Sequence, residues 1–479
     1  MVPTSAVNDL SPSQRLALLL DESPLKGIQR WLWMLSTGGT LLDGFVLFAL
    51  GVAMPLIIPE FHITPDVVGL IGSALVLGAV LGAGIGGRLG DCLGRKRLML
   101  ADMIIIAIGS AASTLANGPL MLFIGQFVVG VGVGIDFPVS SSYISEVSPK
   151  RDRDRMMVAT IACQSVGMLL AAAIALLLLR NGSPQVWRLF LATEGAVALL
   201  FFVSRLSAPE SPHWLMCRGR FAEAAQAFLR IIPEQRDVVL QITANHDNLA
   251  ASIPQVEAGL PILFSPPYRA RTALATIPWF LMDIATYGVG LFTPTILGAI
   301  EISGRTRSLV GHDFAIAEGT AVIDLFLLVG FLVGIWMVPR FGRVRMQAIG
   351  FAGMAVGMLM LLAAVGLTNS NLHIPLVFAG FILFNLLMNA GPNSTTFTLP
   401  PILFPIQLRG TASGFAAGVA KLGATLGVFC LPILKQKFGV PSVLGILSAV
   451  SLLGLFVTFA LRREDPQLRI VWNSSNGGK

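Results

Sequence analysis

The feature that most constrains this sequence is a series of long apolar runs that recurs along most of its 479 residues. Each run reaches the roughly 20 residues that a helix needs to cross a bilayer. Because lipid offers the backbone no hydrogen-bond partner, and the runs lack the alternation of barrel strands, they must be helices. The sequence predicts an all-α membrane protein with twelve spans, numbered here in chain order: 33–58, 67–87, 98–117, 120–145, 157–180, 187–206, 272–299, 319–338, 346–367, 374–399, 411–434 and 440–461.

The composition supports a membrane location. Charged residues make up 12% of the chain and hydrophobic residues 54%, whereas soluble proteins carry roughly 25% charged residues. The formal net charge of +7 comes from Lys and Arg in short loops, most of them on one side. The positive-inside rule makes that side cytoplasmic and places both termini there. We expect a multi-pass protein of the plasma (inner) membrane that contacts the lipid bilayer and binds no nucleic acid.

One long polar interval divides the spans into two groups of six. Within it, residues 220–229 have helical spacing and good helix formers. The interval has too few apolar residues for a core of its own, so we expect short cytoplasmic helices that join two halves. The predicted organisation is a cytoplasmic tail (1–30), a six-helix half (31–206), a linker with short helices (207–270), a second six-helix half (271–462) and a cytoplasmic tail (463–479).

The two halves repeat each other. Gly94-Arg95-Lys96-Arg97 follows span 2, and Gly342-Arg343-Val344-Arg345 follows span 8. Polar residues also fall at corresponding places within the spans of both halves, and parallel repeats of this kind place the substrate site at mid-membrane, where the halves meet. The residues predicted to surround one central cavity are Asp43, Asp136, Gln164, Asp283, Asn393 and Lys421.

Span 7 carries a polar stripe. Trp279, Asp283 and Tyr287 are spaced four residues apart and share one helix face, which favours a polar cavity wall over a lipid contact. A charge at mid-bilayer costs at least ~2.5–3.5 kcal/mol, so Asp283 and Lys421 indicate function. The alternative is an interhelical salt bridge for Asp283 and snorkelling for Lys421.

Two other acids are predicted to carry protons. Asp43 and Asp136 lie within spans 1 and 4, where low dielectric favours the neutral form of a carboxyl group. Structural ion pairing is the competing interpretation. Glu194 and Asp324 are interpreted as interhelical hydrogen-bond partners and stay outside the predicted site.

Charged residues at the cytoplasmic helix ends form a third group. Such residues can pair to close one face of a rocking transporter and separate on the other stroke. The predicted cytoplasmic gate consists of Asp91, Arg95, Glu146, Arg153, Glu210, Arg340, Arg343 and Arg409.

Several stretches resemble known motifs. Residues 86–97, GGRLGDCLGRKR, resemble the loop 2–3 signature of the major facilitator superfamily, and residues 209–215, PESPHWL, resemble the PESPRWL motif of sugar porters and their relatives. Residues 134–140, GIDFPVS, 279–288, WFLMDIATYG, and 391–397, GPNSTTF, resemble motifs of the phosphate:H⁺ symporter family. The resemblance covers nearly all of residues 35–460.

This resemblance implies the major facilitator fold and proton-coupled import of inorganic phosphate by alternating access. The phosphate ligands that it implies are Gln164, Trp279, Asp283, Tyr287, Asn393 and Lys421, and the implied proton-linked acids are Asp43 and Asp136. The sequence departs from the family at two positions: Phe137 replaces a Tyr that would supply a hydroxyl donor, and Val46 replaces an acid.

Two other classes of function remain open. The same machinery could carry a sugar or a small organic acid, and a membrane receptor could bind without transport. An enzyme is not indicated, because no nucleophile–base set is visible, and the four cysteines have no metal-ligand or disulfide spacing. We expect no cofactor, a small solute and protons as the partners, and a monomer.

Overall fold

The computed structural model describes residues 10–465 apart from 181–182, 184, 254–258, 291–308 and 368–370. Within these ranges the chain forms helices and turns, without a β-strand. Thr37 separates span 1 from a preceding helix, Gly27–Ser36. The helices of the first half are Gly38–Phe61, Pro65–Leu93, Arg95–Thr114, Pro119–Val147, Lys150–Leu179 and Val186–Arg205.

The second half has less regular helices. Span 10 passes from His373–Met388 through a π-helical turn, Asn389–Asn393, into Ser394–Thr398. Spans 11 and 12 form one continuous stretch that changes direction at Gly439, where φ is 79°. The principal helices of this half are Arg269–Gly290, Leu309–Phe341, Arg343–Val365, His373–Met388 and Arg409–Ala460.

The described helices fit a membrane. Ten of them are long and apolar enough to cross a bilayer, and Leu325–Phe341 is a shorter apolar helix. Arg269–Gly290 lies at the position of span 7, whose predicted end, 291–299, is outside the described residues. Large apolar side chains point outward, with Leu200 66% and Phe456 68% exposed. The predicted all-α membrane protein is confirmed.

The internal repeat appears in the backbone as two matching turns. Gly94 has a φ of 107° and Gly342 a φ of 87°, and each glycine joins two long helices. A residue with a Cβ atom adopts such φ values only under strain. The shared Gly-Arg sequence after spans 2 and 8 therefore encodes the same sharp reversal in both halves.

Short helices cover one end of the first half. They are Pro12–Asp21 before the spans and Pro212–Cys217, Phe221–Ile231, Arg236–Ala244 and His246–Ala251 in the linker. Leu16, Trp214 and Phe228 from these helices pack in one apolar cluster with Tyr143 of span 4. We call this end of the molecule the linker end.

The two halves meet along two helix pairs, span 2 with span 11 and span 5 with span 8. The first pair is tightly packed at its linker end. A Cβ atom on Gly87 would lie 2.0 Å from the carbonyl oxygen of Gly410, which is far inside van der Waals contact. Small residues at this crossing therefore let the two backbones touch, as is common between membrane helices.

Candidate functional site

The central contact of the molecule joins Lys421 of span 11 to Asp43 of span 1. The two side chains are 7% and 3% exposed, and Lys421 Nζ lies 3.9 Å from Asp43 Oδ2. The Lys421 amine also donates to the Tyr287 hydroxyl at 3.3 Å. One cation of the second half is thereby shared between a carboxylate of the first half and a phenol of its own half.

Gln164 of span 5 completes the environment of Asp43. Its side-chain amide Nε2 donates to Asp43 Oδ2 at 2.7 Å. The same carboxylate oxygen therefore faces both Lys421 and Gln164. If Asp43 gains a proton, both groups lose an ionic acceptor and become available to another anion.

Asp283 lies one helical turn from Tyr287, and its side chain is 5% exposed. The charges that act on it are those of Lys421 and Asp43. Among the described residues, no side chain or backbone group donates a hydrogen bond to the Asp283 carboxylate. The structure therefore leaves this buried acceptor free for a donor on a ligand.

Aromatic rings surround the amine of Lys421. Lys421 Nζ lies 5.1 Å from the ring centroid of Phe137. The Phe137 ring in turn contacts Trp279, with centroids 6.4 Å apart, and Phe397, with centroids 6.0 Å apart. A cation over a ring face is stabilised by the ring quadrupole. The missing hydroxyl of Phe137 thus leaves an apolar wall on this side of the amine.

Asn393 ends the π-helical turn of span 10. Its Nδ2 donates to Asn389 Oδ1 at 2.8 Å, so this hydrogen bond lies within the turn. π-helical turns are frequent at functional sites because they alter the direction of side chains. We find no hydrogen bond between Asn393 and the other predicted ligands within the described part of the chain.

Asp136 occupies a different location from Lys421. Arg205, the last residue of span 6, donates from Nη2 to Asp136 Oδ1 at 2.7 Å and from Nη1 to Asp102 Oδ1 at 3.1 Å. All three side chains are 0% exposed. The predicted ring around one cavity is therefore divided, with Asp43, Gln164, Asp283 and Lys421 near the halves' contact and Asp136 in a charged network inside the first half.

The linker end contains a second charged network, centred on Arg95. Its Nη2 lies 3.1 Å from Asp91 Oδ1 and 2.9 Å from Glu146 Oε1. The Glu210 carboxylate accepts from the backbone N–H of Arg95 at 2.9 Å. Four of the predicted gate residues therefore come together within the first half and the start of the linker.

Asp91 links this network to the second half. It accepts from the backbone N–H and the hydroxyl of Thr411, both at 2.7 Å, and from the backbone N–H of Gly410 at 3.1 Å. These N–H groups belong to the first turn of span 11, where a helix has no internal acceptors for them. A carboxylate is favoured there by the helix dipole as well.

A matching contact involves Arg343, at the start of span 9. Its guanidinium lies 2.8 Å from Asp154 of span 5 and 3.5 Å from Asp465. Arg153 pairs instead with Asp21, the last residue of the first short helix. Together with the contacts of Asp91, the Arg343–Asp154 pair closes the linker end between the two halves.

The last two predicted gate residues form no salt bridge across the halves within the described part of the chain. Arg340 is exposed and lies over the ring of Trp336, with its guanidinium carbon 4.1 Å from the centroid. Arg409 is half-buried and donates from Nε to the carbonyl oxygen of Phe404 at 3.5 Å.

This packing shifts the pKa values of two titratable groups outside the spans. Burial, together with the positive charges of Arg409, Arg153 and Arg95, lowers the pKa of His213 to about 3. Burial also raises the pKa of Glu210, although backbone N–H groups that donate to the carboxylate oppose this shift. His213 is therefore neutral at physiological pH, and its buried Nδ1 has no partner within the described residues.

Sequence reasoning missed several residues that organise these contacts. None of Arg205, Asp102 and Asp154 was singled out from the sequence. Signals were present, because an acid in span 3 and an arginine at the end of span 6 are both costly in lipid without partners. Among the described residues, no group of three His, Cys, Asp or Glu side chains is placed to hold a metal ion.

Comparisons with known proteins agree on one family. The profile of the family described as "Sugar (and other) transporter" matches residues 36–464. The inner membrane metabolite transport protein YgcS of Escherichia coli (strain K12) is 29% identical over 463 residues, which cover 96% of this chain and 97% of that protein. The probable inorganic phosphate transporter 1-6 of Arabidopsis thaliana is 30% identical over 421 residues, which cover 80% of each chain.

Among solved structures, the proton:xylose symporter XylE bound to 6-bromo-6-deoxy-D-glucose matches with a TM-score of 0.75. The match covers 90% of this chain and 95% of that chain at 19% sequence identity. At this identity the likeness concerns the fold. The fold predicted from the sequence is thereby confirmed.

Proposed function

Because the chain belongs to the sugar (and other) transporter family of the major facilitator superfamily, we propose that it imports inorganic phosphate together with protons by alternating access. The family makes the protein a multi-pass membrane transporter and not an enzyme. The proposal further places it in the plasma (inner) membrane, with both termini cytoplasmic. The contacts of Lys421, Asp43 and Asp283 support an anionic substrate and coupling to protons.

The observation that carries this proposal is the buried pair of Lys421 and Asp43. The Lys421 amine and the Asp43 carboxylate belong to different halves and lie 3.9 Å apart. Whether they form an ion pair therefore depends on how the two halves are arranged. An ammonium group buried in the membrane requires an anion. With Asp43 ionised, that anion is part of the protein; with Asp43 protonated, Lys421 attracts one from solution.

Charge balance favours joint binding of the proton and the substrate. The site has one cation, Lys421, and two acids, Asp43 and Asp283. A proton on Asp43 and one monobasic phosphate on Lys421 together leave the total charge unchanged. The change to the other facing state then involves no additional buried charge, so proton and phosphate travel together.

Recognition of phosphate rests on the free acceptor of Asp283. Monobasic phosphate carries P–OH groups, and a carboxylate can accept from one of them. Sulfate lacks that proton, so it would leave the Asp283 carboxylate without a hydrogen-bond donor and would be repelled by its negative charge. Sites built around a buried polar group reject an analogue that cannot satisfy it.

Alternating access requires the linker end to open. The contacts of Asp91 with Gly410 and Thr411 and the pair Arg343–Asp154 join the halves there. These contacts must break when the site faces the linker end. Occupation of the central site by both ligands provides the differential binding energy for that change.

Uptake of radiolabelled phosphate into proteoliposomes under an imposed pH gradient tests the proposal. We expect accumulation that a proton ionophore abolishes. Lys421→Gln should eliminate it, whereas Arg236→Gln, which removes an exposed positive charge from a linker helix, should not. Gradient-driven uptake of another solute with no phosphate uptake by the wild type would overturn the assignment of substrate.

An organic acid is the second candidate, and the aromatic wall of Phe137, Trp279 and Phe397 favours it. An apolar body could pack on these rings while its carboxylate binds Lys421. YgcS is named for metabolite transport in general, which agrees with a broader substrate class.

The variant Phe137→Tyr separates the two candidates. It restores a hydroxyl donor near Lys421, and one hydrogen bond to a charged group contributes about 1.5–3 kcal/mol. Phosphate should bind more tightly to this variant. If an organic acid is the substrate, the same change should weaken binding because it makes the apolar wall polar.

A further inference from the structure

The charged network inside the first half contains more acids than bases. Asp102 of span 3 and Asp136 of span 4 both bind the guanidinium of Arg205, and none of the three side chains is exposed. Asp102 contacts Nη1 with both oxygens, at 3.1 and 3.2 Å, and Asp136 contacts Nη2 at 2.7 Å. Arg205 is thus the cation shared by two carboxyl groups.

This imbalance leaves room for one proton. With both carboxyl groups ionised, the network would hold an excess negative charge away from water, and Asp43 of span 1 would repel it further. Asp136 Oδ2 is buried and has no hydrogen-bond partner among the described residues. That oxygen is the one available to carry the proton.

Arg205 also holds the break in front of span 1. Its Nε donates to the carbonyl oxygen of Leu35 at 2.8 Å, and Nη2 donates to that of Ser36 at 3.3 Å. These residues end the helix that precedes Thr37. Arg205 therefore divides its donors between two carboxyl groups and the backbone where span 1 changes direction.

Span 1 touches the network directly as well. A Cβ atom on Gly39 would lie 1.9 Å from Asp136 Cγ, so the carboxyl group rests on the span 1 backbone. Asp43, which binds Lys421 and Gln164, follows one helical turn later on the same span. A change in Asp136 thus acts on the helix that carries the central acid.

We propose that Asp102 and Asp136 share one exchangeable proton and that Arg205 transmits its gain or loss to the break in span 1. When the proton leaves, the second carboxylate draws donors of Arg205 away from the carbonyl groups of Leu35 and Ser36. Arg205 is a positioning residue in this scheme. The inference rests on the proposed proton coupling, and it adds Asp102 as a second holder of the proton that the resemblance assigns to Asp136.

Infrared spectroscopy of the purified protein without substrate tests the shared proton. The wild type should show the C=O stretching band of a protonated carboxylic acid from this pair. Asp102→Asn and Asp136→Asn should each abolish that band, because the remaining carboxyl group then pairs one to one with Arg205 and ionises. Glu194→Gln, which removes another fully buried carboxyl group, should leave the band of the pair in place.

Transport measurements test the coupling. For one coupled proton, each pH unit of gradient supports about tenfold accumulation. Asp102→Asn should lower accumulation about tenfold per pH unit of gradient while it still exchanges internal for external phosphate, and Asp102→Glu should restore full accumulation. A purely structural role would impair exchange and accumulation together.

The two measurements separate the inference from the proposed function. A band that survives both Asp102→Asn and Asp136→Asn, or full accumulation by Asp102→Asn, overturns the shared proton. If the wild type carries no phosphate but the band behaves as expected, the assignment of substrate fails and the shared proton stands.

Discussion

Two polar networks occupy related positions in the two halves, but only one of them is charged. In the first half, Asp102, Asp136 and Arg205 join spans 3, 4 and 6. In the second half, Gln347 of span 9 donates to Thr458 of span 12 at 2.9 Å and accepts from Thr395 of span 10 at 3.0 Å. The same three helices of each repeat are therefore held together by ions in one half and by neutral groups in the other.

This difference indicates that one network only holds its helices together, whereas the other can also respond to protons. The neutral network can hold its helices at any pH, because none of its members titrates near neutrality. The charged network has a titratable member and touches the break in span 1. The second half also supplies most of the proposed substrate ligands, which are Trp279, Asp283, Tyr287, Asn393 and Lys421. We infer that the first half responds to protons while the second half mainly holds the solute.

The largest effect is expected when the charged network loses its cation. Arg205→Met leaves two buried carboxyl groups without a partner, which should lower the free energy of unfolding by about 3–5 kcal/mol. Chemical unfolding in detergent micelles measures this loss. The matched variant Gln347→Leu in the neutral network should cost only about 1–3 kcal/mol, since it removes two hydrogen bonds between uncharged groups. Equal losses in the two halves would remove the distinction.

A smaller effect is expected where the charged network touches span 1. Gly39→Ala places a methyl group on the Asp136 carboxyl group and should destabilise the protein by about 1–3 kcal/mol. The control is Gly445→Ala in span 12, where an added Cβ meets no atom within 4 Å. Unfolding in detergent should separate the two variants. An undisturbed Gly39→Ala protein would mean that Asp136 does not rest on span 1.

The linker end of the first half should also respond to acid through His213. Its pKa is about 3 in the folded protein and roughly 6.5 when unfolded. The unfolded state therefore binds more protons between these values, and stability falls as the pH drops from about 6.5 toward 3. We expect a loss of about 2 kcal/mol between pH 7.5 and pH 5.

The variant His213→Gln should remove this part of the pH dependence. The measurement is unfolding in detergent at several pH values, for the variant and the wild type side by side. Identical pH dependence in both proteins would show that burial and the charges of Arg409, Arg153 and Arg95 do not hold His213 neutral.

The smallest effect is expected in the neutral network. Thr458→Val removes the hydroxyl that accepts from Gln347 and should cost about 1 kcal/mol. The pH dependence of phosphate uptake should stay that of the wild type, because no titratable group changes. A shifted pH dependence would assign part of the proton response to the second half and weaken the comparison.

The sequence predicted the elements of this fold better than the contacts between them. Apolar runs identify spans because each run must satisfy its own backbone in lipid. The Gly-Arg repeat likewise predicted related halves, since Gly94 and Gly342 both need positive φ values. These signals are local, so a single chain displays them without any knowledge of packing.

Contacts between distant spans were harder to predict from the sequence. The stripe Trp279–Asp283–Tyr287 was found because one helix face depends only on residue spacing. That Asp43 and Asp136 lie in separate networks was not predicted, because it depends on how spans 1, 4 and 6 are rotated against each other. The π-helical turn at Asn393 also changes side-chain direction in a way that a regular helix does not predict. The roles of these residues in transport stay predictions.

The hydrogen bonds of Asp91 also make the residues on the two sides of the closed linker end differ in how well they tolerate mutation. On the second half, two of the three donors are backbone N–H groups, of Gly410 and Thr411. Every amino acid except proline offers that group, so most changes at position 411 keep its backbone bond. At position 410 an added Cβ would lie 2.4 Å from the carbonyl oxygen of Gly87, so this position requires glycine. On the first half, the bond depends on one carboxylate. Random mutagenesis for variants that loosen this closure should therefore recover changes at Asp91 and Gly410 more often than at Thr411.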